Sequence, residues 1–259
     1  MAEKKINKLI HPEFEGYTSE ISKCIENFSN TGTLIYGGDR NQIRCVNIAG
    51  NKFNIKSFKT PNIFNSIVYR YIRPSKAKRS YEFALKLLKL GISTPQPVAY
   101  FEVADSLGLG KSFYVSKHID YDLDFRVLIH NQDYPERERI LELFTEFTFQ
   151  LHEKGVNFLD HSPGNTLIKK TTEAYKFYLI DLNRMRFEKM NLNDRMYNFR
   201  RLWLSKAMIR IIAKKYAELY GKPYAEIHNL MLKHSRQFQK KINQKKLRRS
   251  GRSPRFKSK

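Results

Sequence analysis

Cysteine is scarce. Cys24 and Cys45 are the only two, and neither has a Cys or His neighbour at metal-ligand spacing or sits in a C-x-x-C arrangement. That excludes a disulfide framework and a thiolate zinc site, and a reducing cytoplasm is the simplest setting. Long apolar runs are missing too: no eighteen apolar residues occur together, and Met1 to Gly16 lacks the apolar centre of a signal peptide. The chain is therefore expected to be soluble or peripheral rather than membrane-spanning. Acidic residues are the third shortage. Only 25 Asp and Glu face 48 Lys and Arg, a net charge of +23. Such a surface favours anionic partners such as a nucleotide, a nucleic acid or the phosphate-bearing face of a membrane, and is silent about fold. With 259 residues and 41% apolar content, the chain can bury the core of one large domain or of two lobes.

What the chain does carry is concentrated between Val156 and Asp181. Thr166-Leu167-Ile168 and Phe177-Tyr178-Leu179-Ile180 are short apolar runs separated by Lys170-Thr171-Thr172-Glu173, which predicts an antiparallel hairpin turning near Glu173. Such a hairpin returns the end of its second strand beside the start of its first, so Asp181 is expected next to Asn165, with Asp160 just upstream. Two carboxylates and a carboxamide form an oxygen-rich set of the kind Mg²⁺ takes while keeping several waters. Upstream, Ile140, Leu143, Phe144, Phe147 and Leu151 recur at helical spacing and the run stops at Gly155, so a helix leads straight into the loop. Singly, each polar residue has ordinary uses in turns and caps. Together, an Asp, an Asn five residues later and an Asp closing the next strand are similar to the catalytic loop and metal-binding aspartate of protein kinases.

The preceding half fits the same reading. Met1 to Thr31 reads as a leader with a short amphipathic helix through Ile21, Cys24, Ile25 and Phe28, and has no assigned chemistry. A meander of three strands follows, Thr33 to Tyr36, Ile43 to Ile48 and Phe53 to Phe58. Its first turn, Gly37-Gly38-Asp39-Arg40, lies where a kinase covers the ATP phosphates with backbone N–H groups. Gly37 and Gly38 are the candidates, although G-x-G-x-x-G is absent and any hairpin can hold two glycines. On the third strand, Lys56 is the candidate for the α- and β-phosphates, because Lys59 abuts Pro61 where the strand has ended. A helical carboxylate that pairs with Lys56 can only be Glu82, the one acid between Asp39 and Glu102 among twelve Lys and Arg. The alternative for Glu82 is a surface i,i+4 pair with Lys78 or Lys86. Pro61 to Pro74 is basic and amphipathic, suited to a membrane interface or to packing on the lobe. Strands at Val98 to Val103 and Phe113 to His118 then lead to a candidate hinge, in which Lys117 and Ile119 offer backbone groups to adenine.

Beyond Asp181, Leu182-Asn183-Arg184 departs from D-F-G, and a helix start appears within about a dozen residues. An activation segment with an A-P-E anchor does not fit. Leu159 stands where the arginine that answers a phosphorylated loop would be. Both absences favour a small acceptor over a regulated protein kinase. Trp203, Leu204, Met208, Ile211 and Ile212 continue as helical core. Gln239 to Lys259 holds ten basic residues and no acid, and reads as a disordered tail, either solvated or drawn to anionic lipid. No helix-turn-helix, zinc or RNP pattern accompanies it, so no specific nucleic acid is expected.

On these residues the chain resembles the bacterial lipopolysaccharide kinase (Kdo/WaaP) family. The resemblance runs roughly from Gly32 to Trp203. It rests on Asn54-Ile55-Lys56, on Lys76-Ala77-Lys78-Arg79-Ser80-Tyr81-Glu82 with Gly91-Ile92-Ser93-Thr94-Pro95, on Asp160-His161-Ser162-Pro163-Gly164-Asn165, and on Leu179-Ile180-Asp181-Leu182-Asn183-Arg184. It implies an α+β, bilobal protein-kinase-like fold, with an antiparallel-sheet N-lobe over 32–119 and a mainly helical C-lobe over 120–238, between the leader 1–31 and the tail 239–259. It also implies ATP and Mg²⁺ as cofactors. Asp160 would orient and deprotonate a sugar hydroxyl, Asn165 and Asp181 would hold the metal, and Lys56, fixed by Glu82, would neutralise phosphate charge. The implied acceptor is a Kdo or heptose of the lipopolysaccharide inner core. The implied setting is a monomer, peripheral at the inner face of the cytoplasmic membrane and attracted there by its basic patches and tail. An atypical protein kinase of the RIO type or a small-metabolite kinase would share the site. A pseudokinase binding an anionic partner would share only the fold.

Overall fold

The computed structural model describes residues 5–38, 41–59, 74–105, 108–172 and 174–250. The chain divides into two compact units, one made of Met1–Asp120 with Tyr178–Asn183 and one of Tyr121–Phe177 with Arg184–Lys259.

In the first unit six strands form one antiparallel sheet. They are β1 (Lys5–Ile10), β2 (Thr33–Gly37), β3 (Asn41–Ile48), β4 (Asn51–Phe58), β5 (Pro97–Asp105) and β6 (Gly108–Lys117), in the order β1-β5-β6-β4-β3-β2. The connection from β3 to β4 is tight, with Ala49 at φ 47° and Gly50 at φ 80°, the backbone that a two-residue hairpin matched to strand twist demands. Strand alternation gives β4 two faces. Phe53 and Ile55 are fully buried on one, against Phe14, Ile21, Ile25 and Phe28. Lys56 and Phe58 take the other, where Phe58 packs with Ala77, Tyr81 and Tyr100. Residues 5–31, expected as part of a separate leader, belong to this unit. β1 pairs with β5 along the sheet edge, and helix α1 (Thr18–Glu26) buries Ile21 and Ile25 in the sheet's core. In the sequence Ile6, Leu9 and Ile10 are spaced as on a helix, which hides this strand. Helix α2 (Lys76–Lys89) begins at Ser75, whose hydroxyl accepts from the Lys78 N–H at 3.0 Å. The amphipathic segment expected from Pro61 lies outside the described residues up to residue 73, as do residues 39 and 40 of the glycine turn.

The second unit is mainly helical. Its elements are β7 (Leu123–Asp124), α3 (Phe125–His130), α4 (Arg137–Glu153), β8 (Val156–Phe158), β9 (Thr166–Lys170), β10 (Tyr175–Leu179), β11 (Met185–Phe187), α5 (Leu192–Asn198), α6 (Lys206–Tyr220) and α7 (Tyr224–Arg249). β10, β9 and β7 form one small sheet, β11 and β8 another. The expected β9/β10 hairpin is present, and Glu173 in its turn lies outside the described residues. Leu128, Phe144, Phe199, Ile212, Tyr216 and Met231 centre a core shared by α3, α4, α6 and α7. The expected disordered tail is corrected here: residues 239–249 continue α7 as helix. Lys, Gln, Leu and Arg are all good helix formers, and neither Gly nor Pro interrupts them before Gly251, so intrinsic propensity outweighs charge repulsion. Residues 251–259 lie outside the description. Among the described residues no helix is long and apolar enough to cross a membrane.

Candidate active site

The first unit sets a lysine against an aspartate. Lys56, opposite Ile43 of β3 and Tyr114 of β6, is only 13% exposed, and its Nζ lies 2.8 Å from Asp181 Oδ1. Asp181 is delivered by a stretch tied to the loop after α2. The Leu179 N–H donates to the Ser93 carbonyl at 3.1 Å, and the Thr94 hydroxyl donates to the Leu179 carbonyl at 2.7 Å. Asp181 itself takes φ 58°, a left-handed conformation that Asp tolerates better than most residues. Asn183 Nδ2 donates to the same Oδ1 at 2.6 Å. Among the described residues, Oδ2 of Asp181 has no partner.

The expected Lys56–Glu82 pair is not what forms. Glu82 is half exposed and its ion pair is with Lys78, at 4.0 Å, the surface alternative. Helical phase explains this, because Ala84, which is fully buried, stands two residues and 200° away, so Glu82 points off the opposite face of α2.

The second unit builds the other acidic loop. α4 ends at Gly155, whose φ of 66° and 3.0 Å clearance between an added Cβ and the Glu188 carbonyl leave room for glycine alone. β8 then pairs with β11, and the Leu159 N–H reaches the Arg184 carbonyl at 3.1 Å. The loop is cross-braced from within: the Ser162 N–H donates to the Asp160 carbonyl at 2.7 Å, and Asn165 Nδ2 donates to the same carbonyl at 2.8 Å. Asp160 and Asn165 are therefore brought together, and among the described residues Asn165 Oδ1 has no hydrogen-bond partner. Asp160 Oδ1 lies 2.7 Å from Arg201 Nη2, and its Oδ2 lies 3.7 Å from Arg184 Nη1.

His161 anchors the loop underneath. It is fully buried, and its Nδ1 meets Asn198 Oδ1 at 2.8 Å, while Asn198 Nδ2 donates to the Phe158 carbonyl at 2.9 Å. With the Asn198 nitrogen so committed, His161 Nδ1 must carry the proton. Burial pushes its pKa down to about 4, so the ring is neutral near pH 7.

The nucleotide candidates divide. Gly38 N–H donates to the Asn41 carbonyl at 3.1 Å, and neither Gly37 nor Gly38 takes a positive φ, so neither backbone conformation requires glycine. Lys117 N–H is already donated to the Gln96 carbonyl at 2.9 Å. No described hydrogen bond uses the backbone of Ile119, which leaves Ile119 as the hinge residue able to offer one.

A family model described as the lipopolysaccharide kinase (Kdo/WaaP) family matches residues 37–222. The chain belongs to this family. Among solved structures it is similar to a WaaP in complex with acyl carrier protein, at 17% identity and TM-score 0.63, over 90% of this chain and 98% of that one. It is also similar to the Rio2 kinase–ADP/Mg²⁺–phosphoaspartate complex from Chaetomium thermophilum, at 15% identity and TM-score 0.46, over 87% and 71% of the two chains. No curated protein matches. Mixed α/β architecture and the WaaP likeness give the chain its kinase-like fold.

For a Kdo/WaaP kinase the donor set suits a hard ion. Among the described residues no three His, Cys, Asp or Glu cluster as a metal cage. Mg²⁺ needs none, since one or two carboxylates plus phosphates and waters satisfy it. Asn198, Arg201 and His161 were not singled out from sequence. Asn198 and Arg201 sit far downstream on α5 and the turn after it, and His161 is marked in the sequence only as a member of the Asp160–Asn165 motif.

Proposed function

We propose that this Kdo/WaaP kinase transfers the γ-phosphoryl group of ATP to a Kdo or heptose hydroxyl of the lipopolysaccharide inner core. One observation carries the reading. Among the described residues three oxygens accept no hydrogen bond while their neighbours do: Oδ2 of Asp160, which has only the 3.7 Å ion pair with Arg184, Oδ1 of Asn165 and Oδ2 of Asp181. Asp160 Oδ2 would accept a hydrogen bond from the acceptor hydroxyl. As the new P–O bond forms and the β,γ-bridging bond breaks, the hydroxyl proton passes to Asp160 and ADP departs with the bonding pair. Asn165 and Asp181 would be the residues to hold Mg²⁺, which would supply neutralisation of phosphate charge. Lys56 would bring its ammonium to the α- and β-phosphates, and Ile119 its backbone to adenine. Placement and electrostatics do most of the work, because phosphoryl transfer asks little covalent chemistry of a protein.

Incubation with MgATP and isolated lipopolysaccharide core, followed by mass spectrometry, should add one phosphoryl group to the core. Transfer to protein or to soluble sugars would move the substrate elsewhere, and Mg²⁺-dependent ATP binding with no transfer would make the chain a pseudokinase. The net charge of +23 and the exposed bases of α7 support peripheral attachment at an anionic membrane face. Vesicle flotation tests that separately.

A further inference from the structure

Two donors fix the carbonyl of Asp160, which sets its backbone and leaves the carboxylate to be aimed by something else. Arg184 is a poor candidate: its side chain is 58% exposed and, at 3.7 Å, too far to hydrogen-bond the carboxylate. Arg201 is different. Its Nη2 contact to Oδ1 at 2.7 Å is short and charge-assisted. It is also built in. The one-turn helix Phe199–Leu202 holds it between two fully buried residues, Phe199 and Leu202. Its guanidinium lies 5.6 Å from the ring centroid of Phe238 on α7, and its Nε is buried with no partner among the described residues. Phe238 in turn meets Trp203 edge-on at 5.9 Å. Trp203 takes φ 57°, a conformation in which a bulky side chain persists only when its surroundings hold it.

We propose that Arg201 is the positioning residue for Asp160, and that Phe238 of α7 holds Arg201 in place. By occupying Oδ1, the guanidinium leaves Oδ2 as the single acceptor aimed at the incoming hydroxyl. The long last helix thereby reaches the reacting carboxylate through one ring and one guanidinium. This rests on Asp160 being the group that receives the hydroxyl, and it adds residues that the motif does not contain.

The experiment is a double-mutant cycle of Asp160→Ala and Arg201→Ala, read on phosphorylation of isolated lipopolysaccharide core and, in parallel, on acceptor-free ATP hydrolysis, with melting temperatures for every variant. Arg201→Ala should lower kcat by up to about 10²-fold, the loss expected from a misaimed group, with KM for ATP unchanged. Guanidinium ion added to that variant should restore part of kcat, which a purely structural defect would not allow. Arg201→Lys should fall between. Phe238→Ala should lower kcat in the same way, and Phe238→Leu less. The double variant should be no slower than Asp160→Ala alone, since the two act as one unit. Wild-type kcat in Arg201→Ala, or losses that multiply in the double variant, would overturn the proposal even with Asp160→Ala inactive. An active Asp160→Ala would instead sink the reading of Asp160 itself. Failure of the wild type on the core, with hydrolysis intact, removes only the substrate, and the cycle is then decided on hydrolysis.

Discussion

Replacing Lys56 by Met and Glu82 by Ala separates two accounts of the first unit. If Lys56 depends on Glu82, both variants should be crippled. If it depends on Asp181, only one should. The Lys56–Asp181 contact is 2.8 Å long, between side chains 13% and 29% exposed. At an effective dielectric near 20 the bare attraction is about 6 kcal/mol. Desolvation offsets most of that, and a hydrogen bond to a charged group leaves roughly 1.5–3 kcal/mol net. For a chain of this size, that is a fall in Tm of about 3–12 °C. Glu82 faces Lys78 at 4.0 Å with side chains 47% and 37% exposed. Such a pair contributes about 0.3–0.5 kcal/mol, so Tm should move by less than about 2 °C. In transfer to lipopolysaccharide core, Lys56→Met should cost about 10²–10³-fold in kcat, the loss typical of one preorganised donor to developing charge. Glu82→Ala should stay within about twofold. Equal losses in kcat for the two variants would refute the reasoning and return Glu82 to the site.

Asp160→Ala should lower kcat by roughly 10²–10⁴-fold with the melting transition retained, and near-normal turnover would remove Asp160 from the mechanism. Acid should weaken the fold through His161. Its folded pKa of about 4 lies below the ordinary 6.5, so between those values the unfolded chain binds a proton that the folded one does not. Stability is therefore complete above pH 6.5 and falls towards pH 4, by about 3 kcal/mol from this residue. His152, driven down to about 3 by burial, acts in the same direction. His161→Asn keeps a donor to Asn198 without the titration, so its Tm should depend less on pH across that window; parallel curves would discount His161. Gly155→Ala forces a side chain into φ 66° against the Glu188 carbonyl, and thermal denaturation should show a loss of at least about 1–2 kcal/mol. Changing Lys240, Lys241 and Lys245 to Gln should weaken flotation with anionic vesicles by about 1 kcal/mol per residue, and unchanged flotation would discard α7 as the attachment.

Periodic features were legible in the sequence. The β9/β10 hairpin, the helix entering the loop and the β2-β3-β4 meander all emerge from spacing, and the strand end implied by Pro61 separates Lys56 from Lys59, which lies past the last residue of β4. β1 was not legible, because three apolar residues at helical spacing can also serve an edge strand whose outer side chains, Ile6 and Leu9, stay exposed. Glu82 stands out in the sequence as the one acid available and as a flank of the apolar stripe of its helix, but helical phase sends it to the solvent face, where it pairs with Lys78. Asn198 and Arg201 carry no local signal. Their roles arise only when α5 and the turn after it fold against the Asp160 loop, and no periodicity marks a contact made at such sequence distance.

A carboxylate faced by two arginines looks at first like a structural ion pair rather than a reacting group. The kind of reaction argues otherwise. In a loose phosphoryl transfer most of the charge sits on the migrating group, and the attacking hydroxyl needs to be aimed more than it needs to be ionised early. What the protein must then supply is an acceptor whose orientation costs nothing at the moment of reaction. On the proposed reading Asp160 would meet that demand, because Oδ1 is taken at 2.7 Å and Oδ2 accepts no hydrogen bond among the described residues. The same asymmetry recurs at Asp181, where Lys56 and Asn183 both address Oδ1. Each acidic loop thus commits one oxygen to a fixed contact, and under the proposed function the other is the one that would serve chemistry.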